Sequence, residues 1–184
     1  MSTCGTRLAI LCCGLIPFLC AGSWKQDGKP VPDTSWAKSD GEFGAQLVFT
    51  DKPDELVAAW DKPGLAVAIK ETVSAVRGKL IVGMIFFAGC ARNDKGNCDA
   101  VVHFKISGPD GKPYGTPQGG EMWIDKPPPP EEQMQLSVSN LAVIIEPKDT
   151  LGTYAVVAEI LDRVAKKKMV LERTFQAVET SGKN

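Results

Sequence analysis

The chain has 184 residues, 43% of them apolar, with 21 lysines and arginines against 22 aspartates and glutamates and a net charge of −1. Balanced charge of mixed sign excludes the basic face expected of a nucleic-acid binder. With one histidine, no histidine-paired nucleophile is assignable from the sequence.

Six cysteines divide unevenly: Cys4, Cys12, Cys13 and Cys20 fall in the first twenty residues, and only Cys90 and Cys98 lie beyond. Residues 1–22 have the three-part form of a secretory signal: Arg7, an uncharged apolar stretch from Leu8 to Leu19, then small residues Cys20, Ala21 and Gly22 at the cut. Gly14 and Pro17 break the stretch, which is shorter than the about 20 apolar residues a membrane span needs. No second apolar run of that length follows. The expectation is a periplasmic or secreted protein without an integral membrane segment. A lipoprotein fits less well, because Pro17, Phe18 and Leu19 precede Cys20 where processing wants small residues.

Residues 23–41 are polar and read as a flexible N-terminal arm. Ala45 to Thr50 reads as a short strand. Asp51 to Trp60 reads as a short helix, with Pro53 early, Asp54 and Glu55 in the first turn, and Leu56, Val57 and Trp60 at helical spacing. From Leu65 the pattern becomes one of strands. Val67 with Ile69, and then Val73 to Val76, are short pieces ended by Gly78. Leu80 to Ala88 is almost continuously apolar, as a buried central strand is. In the strand from Ala100 to Ile106, Val102, Phe104 and Ile106 share one face, and Val101, His103 and Lys105 the other. Pro109-Asp110-Gly111 is a turn signal.

Glu121 to Asp125, Leu136 to Ile145, Tyr154 to Leu161 and Met169 to Val178 complete the strands; Tyr154, Val156, Ala158 and Ile160 share one face, and Leu171 and Phe175 take the inner face of the last. Arg173 interrupts the inner face of the last, which predicts a bulge or a strand end. Lys166, Lys167 and Lys168 fit the solvated tip of a hairpin. The pattern predicts a mainly β fold: an immunoglobulin-like β-sandwich of about seven to nine strands over residues 42–179, with one short helix near the N-terminus. Residues 180–184 read as a disordered tail. A β-barrel is the structural alternative.

Cys90 and Cys98 bracket a polar loop between two strands. In an oxidising compartment a disulfide there would constrain the unfolded chain by roughly 2–3 kcal/mol. The competing readings are weaker. A redox-active pair has two intervening residues at a helix start, zinc lacks further ligands, and calcium at Asn93, Asp94, Asn97 and Asp99 lacks a known spacing. No metal or other cofactor is expected.

Asp110, Glu121, Asp125, Glu131 and Glu132 are the carboxylates available for acid–base work, but turns and strand ends are ordinary places for solvated acids. Lys126 leads into Pro127, Pro128, Pro129 and Pro130, an extended polyproline stretch. It reads either as a stiff connector or as a displayed segment for a partner, with Met122 and Trp123 beside it as anchors.

Several segments recur together and in order: Phe43 to Leu47 with Thr50 to Pro53 and Trp60; Phe87 to Cys90 with Gly96 to Cys98; Pro109 to Gly111 with Tyr114; Trp123 with Lys126 and the four prolines; and Glu146-Pro147 with Gly152 to Tyr154, Asp162 and Phe175. In these the chain resembles a family of uncharacterised exported proteins of Gram-negative bacteria. The resemblance implies a periplasmic location and an immunoglobulin-like fold, and no activity. The Gly152 to Tyr154 strand with its Asp162 turn also looks like the closing hairpin of many bacterial immunoglobulin-like modules. The functional expectation is a non-enzymatic binding module for an envelope protein or ligand. Its alternatives are an inhibitor or accessory factor of an envelope enzyme that uses the Cys90–Cys98 loop, and a hydrolase with a carboxylate site.

Overall fold

The computed structural model describes residues 25–26, 29–30, 32–61, 69–131 and 133–180. The predicted signal, Leu65, Val67, Glu132 and residues 181–184 lie outside the described residues. In chain order the elements are β1 (Lys25–Gln26), β2 (Lys29–Pro30), β3 (Ala37–Asp40), β4 (Phe43–Thr50), α1 (Pro53–Trp60), β5 (Ser74–Val76) and β6 (Leu80–Ala88). They continue with β7 (Cys98–Ser107), β8 (Gln118–Lys126), β9 (Gln135–Leu136), β10 (Leu141–Ile144), β11 (Gly152–Asp162) and β12 (Lys167–Val178). One sheet has the order β10-β6-β4-β3, with β9 also on β6; the other has the order β5-β12-β11-β7-β8. β5 runs parallel to β12, whereas the other pairings in both sheets are antiparallel. The fold is an immunoglobulin-like β-sandwich.

The alternation read from the sequence builds the core. Val102, Phe104 and Ile106 of β7, Tyr154, Val156, Ala158 and Ile160 of β11, and Leu171 and Phe175 of β12 are buried against Leu47, Phe49, Ile81, Ile85 and Phe87 of the opposing sheet. β6 is apolar throughout because its other face is covered too. Val82, Met84 and Phe86 form a second cluster with Val48 and with Leu56 of α1. Trp60 meets Phe86 at 5.2 Å, while Val57 points away from the sheet and is 40% exposed.

Three expectations change. Residues 37–40, expected within a flexible arm, form edge strand β3 on β4. The segment is tied down further where Ser35 O accepts from Glu172 N–H at 2.7 Å and Asp40 pairs with Lys167 at 2.7 Å. Arg173 makes no bulge and stays in register opposite Val156. Its guanidinium is held by Leu47 O at 2.8 Å and Glu71 at 2.7 Å and lies 4.5 Å from the Trp36 ring, which pays for its place beside the core. Third, the stretch Leu136 to Ile145 is not one strand. After β9 the chain crosses between sheets: Ser137 N–H donates to Ile85 O of β6, and Val138 and Ser139 N–H donate to Met122 O and Glu121 O of β8.

That crossing covers part of the outer edge of β8, and side chains cover other edges. The Gln118 amide both donates to Ala142 O and accepts from Ala142 N–H on β10, as a neighbouring strand would. Thr34 and Asp33 accept from Ala37 and Ser39 N–H on β3. These contacts occupy groups that an exposed edge would offer to another chain.

Candidate interaction surface at one end of the sandwich

One end of the sandwich gathers the β6–β7 loop, the chain after β8 and the β11–β12 hairpin. The Cys90–Cys98 disulfide is formed, with the two Cα atoms 5.8 Å apart. Within its loop Asn93 Oδ1 accepts from Lys95 and Asn97 N–H at 2.9 and 3.1 Å. Gly89, at φ +62°, starts the loop where a Cβ would lie 2.4 Å from Glu42 O, so only glycine fits. The buried Asp162 carboxylate ties this loop to the hairpin. It accepts from Ala91 N–H at 2.8 Å and from Val164 and Ala165 N–H at 3.0 and 2.9 Å. Arg163 N–H donates to Asp99 O at 2.8 Å, and its guanidinium pairs with the Asp99 carboxylate. The Asn93 and Asp99 oxygens considered for calcium are thus engaged by the protein itself.

Lys126 is the register partner of Cys98, so the proline segment starts beside the disulfide. Two register shifts shape β8, one at Ala100/Val101 and one at Cys98/Asp99. The first aligns Ala100 with Trp123 and Val101 with Glu121, leaving Met122 as the extra residue. A bulge turns neighbouring side chains toward the same face, and both Met122 and Trp123 pack on the core. Met122 is therefore no anchor for a partner: it is fully buried. Asp125, at φ 53°, is the extra residue of the second shift.

Trp123 is half-buried, with its ring 5.7 Å from Phe87 and the Lys126 ammonium 4.5 Å above it. Its indole N–H donates to Pro127 O at 2.8 Å. The tryptophan thus fastens the start of the proline segment. Pro127 and Pro130 are exposed, whereas Pro128 and Pro129 are half-buried.

The other residues named from sequence are dispersed. His103 is exposed on the outer face of the second sheet, opposite Gly119 and Glu159. Glu159 pairs with Lys105 and Lys168, each at 2.9 Å, and their hydrogen bonds, that of Lys168 first, hold its carboxyl down at about 2. Asp110 pairs with Lys112 in its turn and Glu121 with Lys126, while Asp125 and Glu131 are exposed. Among the described residues no three His, Cys, Asp or Glu side chains are grouped to hold a metal ion. A cleft of about 330 Å³ lies away from the disulfide, lined by Asp51, Ser74, Ala75, Val76, Lys79 and Leu80.

The opposite end carries a polar network that the sequence reading missed. Arg77 Nη1 donates to the carbonyls of Glu146, Pro147 and Asp149, and Nε pairs with Glu179. The Tyr114 hydroxyl donates to Asp149 Oδ2 at 2.5 Å, and Glu146 N–H donates to the same oxygen at 2.8 Å. Burial and then the Asp149 carboxylate raise the Tyr114 hydroxyl above the ordinary phenol value. The bond from Tyr114, then that from Glu146 N–H, lowers Asp149. Tyr154, near the start of β11, donates to Thr150 O at 2.7 Å, the tyrosine-corner arrangement of immunoglobulin-like sandwiches. In the sequence Tyr114, Glu146-Pro147 and Tyr154 stand only as recurring segments, with nothing to link them to Arg77.

No family model matches the chain, and no curated protein matches it. Its solved structural neighbours are remote. A family 123 glycoside hydrolase from Clostridium perfringens shares 9% identity at a TM-score of 0.41, over 75% of this chain and 27% of that one. The chain thus spans about a quarter of that hydrolase's length. The CARDB domain of the PF1109 protein from Pyrococcus furiosus shares 11% identity at a TM-score of 0.35, over 59% of this chain and 83% of that one. A Niemann-Pick type C2 protein from Japanese carpenter ant shares 12% identity at a TM-score of 0.36, over 73% of this chain and 89% of that one.

Proposed function

We propose that this chain is an exported, non-enzymatic interaction module of the bacterial envelope, and that it binds a partner protein through the disulfide end of the sandwich. The observation that carries this reading is the convergence of three loops there on one rigid frame. Cys98 sits in register with Lys126, and Asp162 grips Ala91. Ordered loops gathered at one end of a sandwich are the arrangement that immunoglobulin-like domains use for recognition. The disulfide agrees with an oxidising compartment. Among the described residues no helix is long and apolar enough to cross a membrane.

The test places photo-cross-linkers in the full-length protein in its native envelope. Positions Lys95, Glu131 and Lys166 sample the disulfide end, and Lys112 and Lys148 the Arg77 end. A discrete adduct confined to the first set is expected. Equal yields from both sets, or none from the first, would reject the assignment.

The stapled loop also supports a second reading, an inhibitor or accessory factor for an envelope enzyme that inserts residues 91–97. Reduction should then abolish inhibition while the rest of the sandwich persists. Equal inhibition by the oxidised and reduced forms would exclude it.

A further inference from the structure

We infer that Pro127 and Pro130 form a two-pronged ligand for an aromatic-lined, proline-recognising groove on the partner; this rests on the interaction-module reading above and narrows it to one chemistry. Proline fixes its own φ, and each of Pro127, Pro128 and Pro129 is also restrained in ψ by the proline after it. The segment is therefore held as a polyproline II helix, which repeats every three residues. Pro127 and Pro130 fall on one face of that helix about 9 Å apart. The burial pattern follows this repeat: the two outer prolines are exposed, and the two between them are turned half-buried toward the domain. The exposed face is the Pro-x-x-Pro face that aromatic grooves read, one ring per pocket.

The start of the helix is fixed to the domain, and a local turn closes its end. The Trp123 indole N–H holds Pro127 O at 2.8 Å. After Pro130 the chain turns, with Gln133 N–H donating to Pro130 O at 3.0 Å. A ligand already held in its bound shape loses little freedom on docking. A stiff connector alone explains the prolines, but it does not require an indole to hold the first of the exposed pair. Exposed acids flank the segment on both sides, Asp125 before it and Glu131 after it, while Lys126 is drawn over Trp123 and toward Glu121. The groove it fits is lined by aromatic rings and has a basic rim.

The test uses purified SH3, WW and EVH1 domains as probes against the oxidised full-length protein, with binding read from the fluorescence of the groove aromatics. At least one probe is expected to bind. Pro127→Ala and Pro130→Ala should each weaken that complex at least about tenfold, while Pro128→Ala and Pro129→Ala change it by less than about threefold. Trp123→Phe keeps an aromatic ring beside Phe87 and loses the N–H, and should weaken binding by several-fold while leaving the fold, monitored by circular dichroism, unchanged. No binding by any probe, or equal losses at all four prolines, overturns the inference. If envelope cross-links at Lys95 and Glu131 persist in that case, the interaction module stands and only the proline chemistry falls. If they are absent too, both fall.

Discussion

The two ends of the sandwich are held by different means. At the disulfide end a covalent link and one buried carboxylate, Asp162, satisfy the loop backbones from within. Arg92, Asp94, Lys95 and Lys166 are left exposed around them. At the Arg77 end the polar side chains are themselves the fastening: a guanidinium gathers three carbonyls, and a phenol and a carboxylate lock the turn after β10. An end whose backbone is secured by a staple can vary its side chains for recognition. An end whose side chains are the staple cannot. This contrast supports our proposal of the first as the interaction surface.

The contrast breaks most sharply at Asp162. Replacing it with alanine strips the acceptor from three N–H groups, and the expected loss is about 3 kcal/mol of stability. Asp162→Asn keeps an acceptor oxygen and should lose about half of that. Chemical denaturation gives the totals, and hydrogen exchange locates them: Ala91, Val164 and Ala165 should lose protection while Glu146 keeps its own. A loss spread evenly over both ends would mean that the ends are not separately held. The next effect in size comes from the disulfide. The paired Cys90→Ser and Cys98→Ser variant should lose about 2.5 kcal/mol on the loop-entropy model. Exchange should rise in residues 89–99, with the Arg77 end unchanged.

Much of the fold was legible because its signals are local. Period-two alternation marked β7, β11 and β12 with the correct buried faces, and the doubly apolar run of β6 marked a strand covered on both sides. The short loop between Cys90 and Cys98 allowed the disulfide to be read directly. What stayed hidden depends on partners far along the chain. Arg173 looked like a fault in an inner face because Trp36, Leu47 and Glu71, which accommodate it, come from three separate segments. Met122 looked like a surface anchor because a bulge, which has no reliable sequence mark, turns it inward with Trp123. The crossing of Ser137 to Ser139 between sheets was likewise invisible, since nothing local says where a strand leaves its neighbour.

At the Arg77 end the substitutions are smaller and graded. Arg77→Met keeps the apolar stem and removes the donors to three carbonyls, for an expected cost of about 2 kcal/mol. Tyr154→Phe keeps the ring stacked on Phe175 and loses only the bond to Thr150 O, for about 1 kcal/mol. Denaturation midpoints at unchanged slope would measure both. A larger cost for Tyr154→Phe than for Arg77→Met would show that the corner, and not the guanidinium, organises this end.

The smallest effect is also the most selective, because it acts through Asp149 and Tyr114 at the Arg77 end. Asp149 is lowered in the folded protein, chiefly by the Tyr114 hydroxyl. Its contribution is complete above the ordinary carboxylate value of about 3.9 and is lost as pH falls below it toward the folded value. Tyr114 is raised, so its contribution is complete below the ordinary phenol value of about 10 and is lost as pH climbs past it. The disulfide takes no part in either titration. Glu159 adds a second acid slope, but it lies in the middle of a sheet, so a local probe separates the two. That probe is the Glu146 amide, bonded to Asp149 Oδ2. Its exchange protection should fall as pH drops below about 3.9, while the Asn97 amide, bonded to Asn93 Oδ1 inside the disulfide loop, keeps its protection in the oxidised protein. In Tyr114→Phe the Glu146 loss should begin at higher pH, because the carboxyl no longer has its main donor. If Asn97 and Glu146 lose protection together in acid, the two ends form one cooperative unit and their separate fastening is refuted.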